Sequence, residues 1–229
     1  MDDKATIQTK SRYNRIAPVY DLMEAIVERL AFRRWREKLW SQVEGNRVLE
    51  VGVGTGKNIL YHPKGVQVTA VDLSDKMLER AQRRAQELDS EVDLRLMDAQ
   101  KLAFPDTAFD AAVATFVFCS VPDPILGLRE LGRVVRPGGQ IFLLEHVRVD
   151  RSVIGRLMDL LDPIVVRVMG ANINRRTVDN VRRAGLTIER VENLAPMGLV
   201  KLIVARPGPA DGRGATEKLV HDEQDHSRD

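Results

Sequence analysis

The sequence predicts an α/β protein in which a doubly wound, mostly parallel sheet carries helices on both faces. Three observations point there. Short β-rich runs alternate with helical patterns through the body of the chain, the signature of strands joined by helical crossovers. The first apolar run leads directly into GVGTG, with Gly52, Gly54 and Gly56 at every other position, as in a strand-to-helix loop that approaches a ligand closely. Two strand-like runs near the end are separated by only a short loop. They must pair antiparallel, because a parallel pair needs a crossover of a dozen or more residues.

Taken in order, residues 11–43 read as a helical preface, followed by a strand at 47–51 (RVLEV) and a helix beginning around Thr55. The second strand is 66–71 (VQVTAV). Ser74 suits the N-cap of a helix over 75–88, with Asp75 favourable at its positive end. Strands are expected at 92–96, 110–115 and 140–147. Asp123 and Pro124 should open a helix that ends before Pro137-Gly138-Gly139. An apolar insertion at 151–173 interrupts the repeating unit. Asn174 is placed to cap a helix through Ala184, closed by Gly185. The last two runs are 186–193 and 199–205. Residues 207–229 carry six acids and three bases with no apolar periodicity, so they are expected to stay disordered. The expected division is 1–43, 44–206 and 207–229.

At 229 residues, 44% apolar and 30% charged, the chain has the composition of one globular domain. A net charge of +2 argues against a nucleic-acid partner, and the single Cys119 excludes an internal disulfide or a Cys-based zinc site; no metal is expected. No apolar run reaches the ~18 residues that cross a bilayer, and MDDKATIQTK has no signal-peptide core. The expected location is the cytoplasm, at the inner face of the membrane if the basic helix described below meets lipid.

The glycine spacing serves two ligands, a dinucleotide and S-adenosylmethionine. Asp72, 20 residues after Gly52, can accept both ribose hydroxyls of either. Asp98, at the end of the third strand, can accept from an adenine amino group, and Met77 can cover the adenine face.

The ordered set VLEVGVGTG, AVDLSDKMLERA, MDAQKLAFPDTAFD and LRELGRVVRPGGQIFLLEHV resembles the class I S-adenosylmethionine-dependent methyltransferases. Within them it is similar to the branch holding quinone-biosynthesis C-methyltransferases and bacterial phosphatidylethanolamine N-methyltransferases. The likeness spans about residues 10–206. It implies a seven-stranded sheet in the order 3-2-1-4-5-7-6 with strand 7 antiparallel, under an N-terminal helical lid. It also implies S-adenosyl-L-methionine as cofactor and S-adenosyl-L-homocysteine as product. By the same likeness Gly52, Gly54 and Gly56 line the methionine and ribose part, with Leu73 and Thr115 beside them. Asp72 binds the ribose, Met77 flanks the adenine, and Asp98 with the Ala99 amide reads its edge. Glu50 stands where the family keeps an acid that organises the loop and the cofactor's amino group.

The acceptor side is expected after the fourth and fifth strands, at TFVFCSVPDP and EHVR. His146, beside Glu145, is the candidate to hold the acceptor or take its proton. In the preface, RYNRIAPVYD supplies Tyr13 and Tyr20, either of which could face the methyl group from the lid. Cys119, with no triad around it, reads as a small buried apolar residue.

Residues 21–40 place Leu22, Ile26, Leu30, Trp35 and Leu39 near one helical face, with Arg29, Arg33, Arg34, Arg36 and Lys38 supplying charge. That pattern suits an anionic membrane surface or a solvated face. The insertion 151–170 is apolar and punctuated by arginines; it could dip into lipid or cover the acceptor. Three acceptors follow: the amine of phosphatidylethanolamine, ranked first; a carbon of a prenylated quinone precursor; and a small thiol. The quinone branch usually has an Arg-Asn pair where this chain reads Cys119-Ser120, which counts against the carbon acceptor. A catalytically silent cofactor-binding regulator is the non-enzyme alternative.

Overall fold

The computed structural model describes residues 3–27, 32–149, 152–169 and 172–208. Seven strands form one sheet: β1 (Arg47–Val51), β2 (Gln67–Asp72), β3 (Asp93–Leu96), β4 (Phe109–Thr115), β5 (Val135–His146), β6 (Thr187–Asn193) and β7 (Val200–Arg206). Their order is β3-β2-β1-β4-β5-β7-β6. The pairs β1–β2, β1–β4, β2–β3 and β4–β5 are parallel, and β7 runs antiparallel to both β5 and β6. This is the order the family likeness implied, with the closing hairpin that the short connection required.

The sheet buries both faces, which is why its central strands read as nearly unbroken apolar runs. On one face Leu49, Ala112, Ala114, Ile141 and Leu143 meet Leu128 and Leu131 of α4 (Pro124–Val134) and Val181 of α6 (Thr177–Arg183). On the other, Val48, Val113, Phe142, Leu144 and Leu202 meet Leu39 and Trp40 of α2 (Arg33–Trp40). A smaller cluster of Val53, Ile59, Ala70, Ala81 and Ala85 seats α3 (Asp75–Glu87).

Local signals set the helix starts. Ser74 Oγ accepts from the Met77 amide at 3.1 Å, and Asp123 Oδ1 accepts from the Ile125 and Leu126 amides at 3.0 Å. Such caps contribute about 1 kcal/mol each. Asn174 does not cap: α6 starts at Thr177, with Arg176 at the N-cap position and no side-chain capping bond. Asn174 bonds the Asp159 carboxylate instead. Gly185, at φ +84, does end that helix.

The helix expected around Thr55 does not form. Residues 54–58 are turns, and only one 3-10 turn, Ile59–Tyr61, follows. Six residues separate Gly56 from Pro63, too few for two helical turns, and His62 is already extended (ψ 131°) before that proline. The preface begins earlier than expected, as α1 (Asp3–Val27), which contains Leu22 and Ile26, followed by α2. Arg29 and Leu30, and the tail from 209 onward, lie outside the described residues. The insertion folds as α5 (Ser152–Met169).

Candidate functional site

A cavity opens at the carboxyl ends of β1, β2 and β4, where doubly wound sheets hold their ligands. Its wall includes Gly52, Gly54, Asp72, Leu73, Met77, Asp98, Ala99 and Thr115, bringing together eight of the residues named from the sequence. Gly52 takes φ +71, and a Cβ there would stand 2.4 Å from Val117 Cγ2. Gly54, at φ +56, differs: a Cβ would meet nothing within 4 Å. Bare backbone therefore borders open space at Gly54. Gly56 does not line the cavity. At φ +81 its missing side chain lets α3 approach, since a Cβ would sit 3.0 Å from Ala81 Cα.

Asp72 sits at the centre. Its Oδ2 accepts from the Gly54 amide (2.9 Å) and its Oδ1 from the Ser74 amide (2.8 Å). Each carboxylate oxygen keeps lone-pair capacity for a further donor, so a vicinal diol can be held by both. Burial, opposed by these amides and assisted by the Glu50 charge, raises the carboxyl from 3.8 to about 6. Asp98 Oδ1 accepts from the Gln100 amide at 2.9 Å, and Gln100 Nε2 reaches Thr6 Oγ of α1 at 3.3 Å.

Helix α1 spans this end of the cavity. Thr9, Tyr13 and Tyr20 line the wall. Asn14 Nδ2 donates to Asp75 Oδ1 at 2.9 Å, and Asn14 Oδ1 accepts from Ser74 Oγ. Asn14 lies inside the RYNRIAPVYD motif but carries no sequence signal of its own; only the fold brings it to the start of α3.

Glu50 is fully buried behind the glycine loop. It accepts from Asn58 Nδ2 (2.7 Å) through Oε1 and contacts His62 Nε2 (2.8 Å) through Oε2. Asn58 also donates to Thr115 Oγ1 (3.1 Å) and accepts from Arg36 Nη1 (2.8 Å). Arg36 is therefore buried, 6% exposed, with its guanidinium 5.9 Å from the Phe116 ring centre. This corrects the basic-face reading at one position: Arg33, Arg34 and Lys38 are exposed, whereas Arg36 belongs to the interior. His62 packs its ring 4.6 Å from that of Trp40.

The far end of the cavity is formed by Phe116, Val117, Ser120, Val121 and Pro122. Phe116 has φ +58, a strained conformation for a bulky residue. Glu145, fully buried, holds this turn by accepting the Val117 (2.9 Å) and Phe118 (3.0 Å) amides. Burial pushes its carboxyl up to about 7. His146 does not line the cavity. Its ring stacks on Phe116 at 4.5 Å and meets Phe32 edge-on at 6.0 Å, so it supports the wall from behind. Cys119 is buried, with its thiol pushed far above the usual range by desolvation; it packs as a small apolar side chain. Among the described residues no group of three or more His, Cys, Asp or Glu could hold a metal.

Sheet order, glycine loop and paired acids define a Rossmann-like protein built for an adenosine-bearing cofactor. Residues 49–143 match the methyltransferase domain family model. The chain is 32% identical over 168 residues to a demethylmenaquinone methyltransferase of Thermus thermophilus, covering 71% of this chain and 76% of that one. It is 43% identical over 110 residues to a phosphatidylethanolamine N-methyltransferase of Cereibacter sphaeroides, covering 47% of this chain and only 54% of that relative. Among solved structures, a geranyl diphosphate methyltransferase in complex with S-adenosylmethionine aligns with a TM-score of 0.63 at 18% identity, covering 76% of this chain and 84% of that one. The chain belongs to the S-adenosylmethionine-dependent methyltransferases, and S-adenosylmethionine is its cofactor. The open space at Gly54 and the free lone pairs of Asp72 suit that group.

Proposed function

We propose that this enzyme transfers methyl groups to a hydrophobic, membrane-resident acceptor, and that the acceptor is the amine of phosphatidylethanolamine. One observation carries the reading: the cavity wall beyond the cofactor residues is uncharged and largely apolar, made by Tyr13, Tyr20, Phe116, Val121 and Pro122 with Ser120. When bound, the cofactor supplies an electrophilic methyl on a cationic sulfur. The chain's own residues must align a nucleophile with it and exclude water, which is worth several kcal/mol.

An ammonium entering this wall loses hydration and meets no carboxylate, so its pKa falls and the attacking lone pair is freed. In the transfer the N–CH3 bond would form as the S–CH3 bond breaks, and the proton given up by the ammonium would pass through a wall hydroxyl that releases its own proton to water. Tyr13, Tyr20 and Ser120, among the hydroxyls on the wall, are the candidates for that relay. His146 acts one ring further out, by fixing Phe116. Asp72 and Asp98 hold the ribose and adenine, Glu50 braces the loop through Asn58, and α1 serves as the lid. The phosphatidylethanolamine-methylating relative supports the amine. The Thermus relative, a demethylmenaquinone methyltransferase matched over more of the chain, supports the second reading, C-methylation of a quinone precursor.

The test is isotope-labelled methyl transfer to phosphatidylethanolamine, a demethylated menaquinone and a small thiol, run side by side. Labelling of the phospholipid is expected. Tyr20→Phe or Tyr13→Phe should cut kcat by about 10²–10⁴ if that hydroxyl takes the proton, while His146→Ala should be milder and leave cofactor affinity unchanged. Labelling of the quinone or thiol alone rejects the amine acceptor.

A further inference from the structure

We propose that α5 is a membrane-contact surface, its apolar stripe entering an anionic bilayer while the basic pocket beside it receives lipid phosphates. The proposal builds on the lipid-acceptor reading above but rests on its own geometry.

Helix α5 is amphipathic in the reverse of the usual sense. Val153, Leu157, Leu160 and Leu161 are 78%, 53%, 73% and 40% exposed. At ~100° per residue their spacing gathers them into an arc of about 100° on one face. The opposite face is tied down by polar bonds. Asp159 takes a two-pronged ion pair from Arg148, with Nη2 to Oδ2 at 2.8 Å and Nε to Oδ1 at 3.0 Å. Asp162 Oδ1 accepts from the Ile173 amide at 2.8 Å. Met158 is buried, and Gly155 admits the Arg148 guanidinium, which a Cβ there would approach within 2.6 Å. The fold therefore fixes the helix by its charges and turns its leucines to water, an arrangement that marks an interaction surface.

Charge identifies the occupant. Residues 148–183 carry eight arginines and four aspartates. Arg156 is exposed at the margin of the stripe. Beside α5, a pocket is lined by Arg148, Arg176, Arg182 and Lys201, with Asp179 as its acid. Thr177, also on its wall, is 1% exposed, and its hydroxyl has no hydrogen-bond partner among the described residues. An apolar stripe edged by Arg156, with a cation-lined pocket behind the helix at headgroup level, matches acyl chains beneath anionic headgroups. A second copy docked two-fold on the same stripe would bring two exposed Arg156 side chains into one interface. No described helix is long and apolar enough to span a membrane, so α5 would lie in the interface.

The placement also serves the cavity. The segment after α5 is bonded to the cavity rim: the Asn172 amide (2.9 Å) and Nδ2 (2.7 Å) donate to the Cys119 carbonyl, and Arg175 Nη2 donates to the Val121 carbonyl at 3.2 Å. A helix seated in the headgroup layer holds that rim against the lipid from which an acceptor enters.

The experiment is co-sedimentation of the full chain with phosphatidylcholine vesicles, with and without phosphatidylglycerol and containing no phosphatidylethanolamine. The wild type should bind the anionic vesicles and release as salt rises. The double variant Leu157→Ser, Leu160→Ser should bind roughly tenfold less or worse, as expected for two leucines withdrawn from an apolar phase. Arg176→Gln with Arg182→Gln should lose the dependence on phosphatidylglycerol. Cofactor affinity and melting temperature should hold in all variants, because the altered side chains lie outside that site. Equal binding by wild type and leucine variant overturns the proposal, as does a wild type that ignores anionic vesicles. A wild-type dimer that the leucine variant dissociates overturns it in favour of a second copy. Vesicle binding that follows these expectations in an enzyme inactive on phosphatidylethanolamine supports the surface and rejects only the acceptor.

Discussion

Asp72→Asn separates the two things one buried carboxylate does. In the wild type, ionising Asp72 inside the protein is unfavourable: its pKa rises from 3.8 to about 6, with burial as the largest cause. At 1.36 kcal/mol per unit this is about 3 kcal/mol. Because the folded-state value lies above the unfolded one, the associated stability is fully present below about pH 4 and is lost as pH rises through 6. Cofactor binding should run the other way, since the ionised carboxylate accepts ribose hydroxyls most strongly. Hydrogen bonds to a charged group contribute about 1.5–3 kcal/mol, so Asp72→Asn should raise the cofactor Kd roughly ten- to hundredfold. Its amide can replace only one of the acceptors now serving the Gly54 and Ser74 amides. The measurements are calorimetric cofactor titrations at about pH 5 and about pH 8, with melting curves of the free protein across the same range. The wild type should gain affinity and lose intrinsic stability as pH rises through 6, whereas the variant should lack the affinity gain and keep only the shallower stability loss that Glu145, also raised by burial, to about 7, contributes to both proteins. A Kd unaffected by the substitution, or identical pH profiles in both proteins, would refute the assignment of Asp72.

Two further outcomes test the interior. Arg36→Met removes the donor to Asn58 and leaves a buried acceptor unmatched, so it should lower stability by about 1.5–3 kcal/mol and weaken cofactor binding several-fold; an Arg36 that served only as surface charge would leave the melting temperature unchanged. Cys119, 3% exposed with its thiol shifted upward, should resist a disulfide reagent at about pH 8 while folded and react once the chain is denatured; rapid reaction of the native protein would mean that the Phe116–Cys119 turn opens.

The strands were legible because a sheet buried on both faces needs continuous apolar runs, and those at 47–51 and 110–115 fall within a residue of the observed β1 and β4. The Ser74 and Asp123 caps were legible because capping is a contact of two or three residues along the chain. What failed was decided at longer range. The helix expected at Thr55 met a proline too soon. Asn174 had the chemistry of a cap, but Asp159 claimed its side chain. Arg36 sits within a run of basic residues that reads as a solvated face, yet Asn58, 22 residues away, draws it into the interior. A charge count cannot see that partner.

The same distinction explains why a family likeness carried by local motifs could name the cofactor while the acceptor had to be proposed. The cofactor half is assembled from strand ends and the loops directly after them, so the spacing of Gly52, Gly54, Asp72 and Asp98 already encodes their geometry. The acceptor half has no such local frame. Its wall joins α1, the turn after β4 and the rim bonded to the segment after α5. Phe116 is held at φ +58 beside a turn whose amides are accepted by Glu145, 27 or 28 residues further on. The carboxylate at the end of β5 that looked like a partner for His146 is spent on that turn, and the histidine is turned against Phe116. On the acceptor reading proposed above, acceptor choice would rest on a strained turn and the two groups that brace it. Changes at Glu145 or His146 should alter which nucleophile fits before they alter how the cofactor binds.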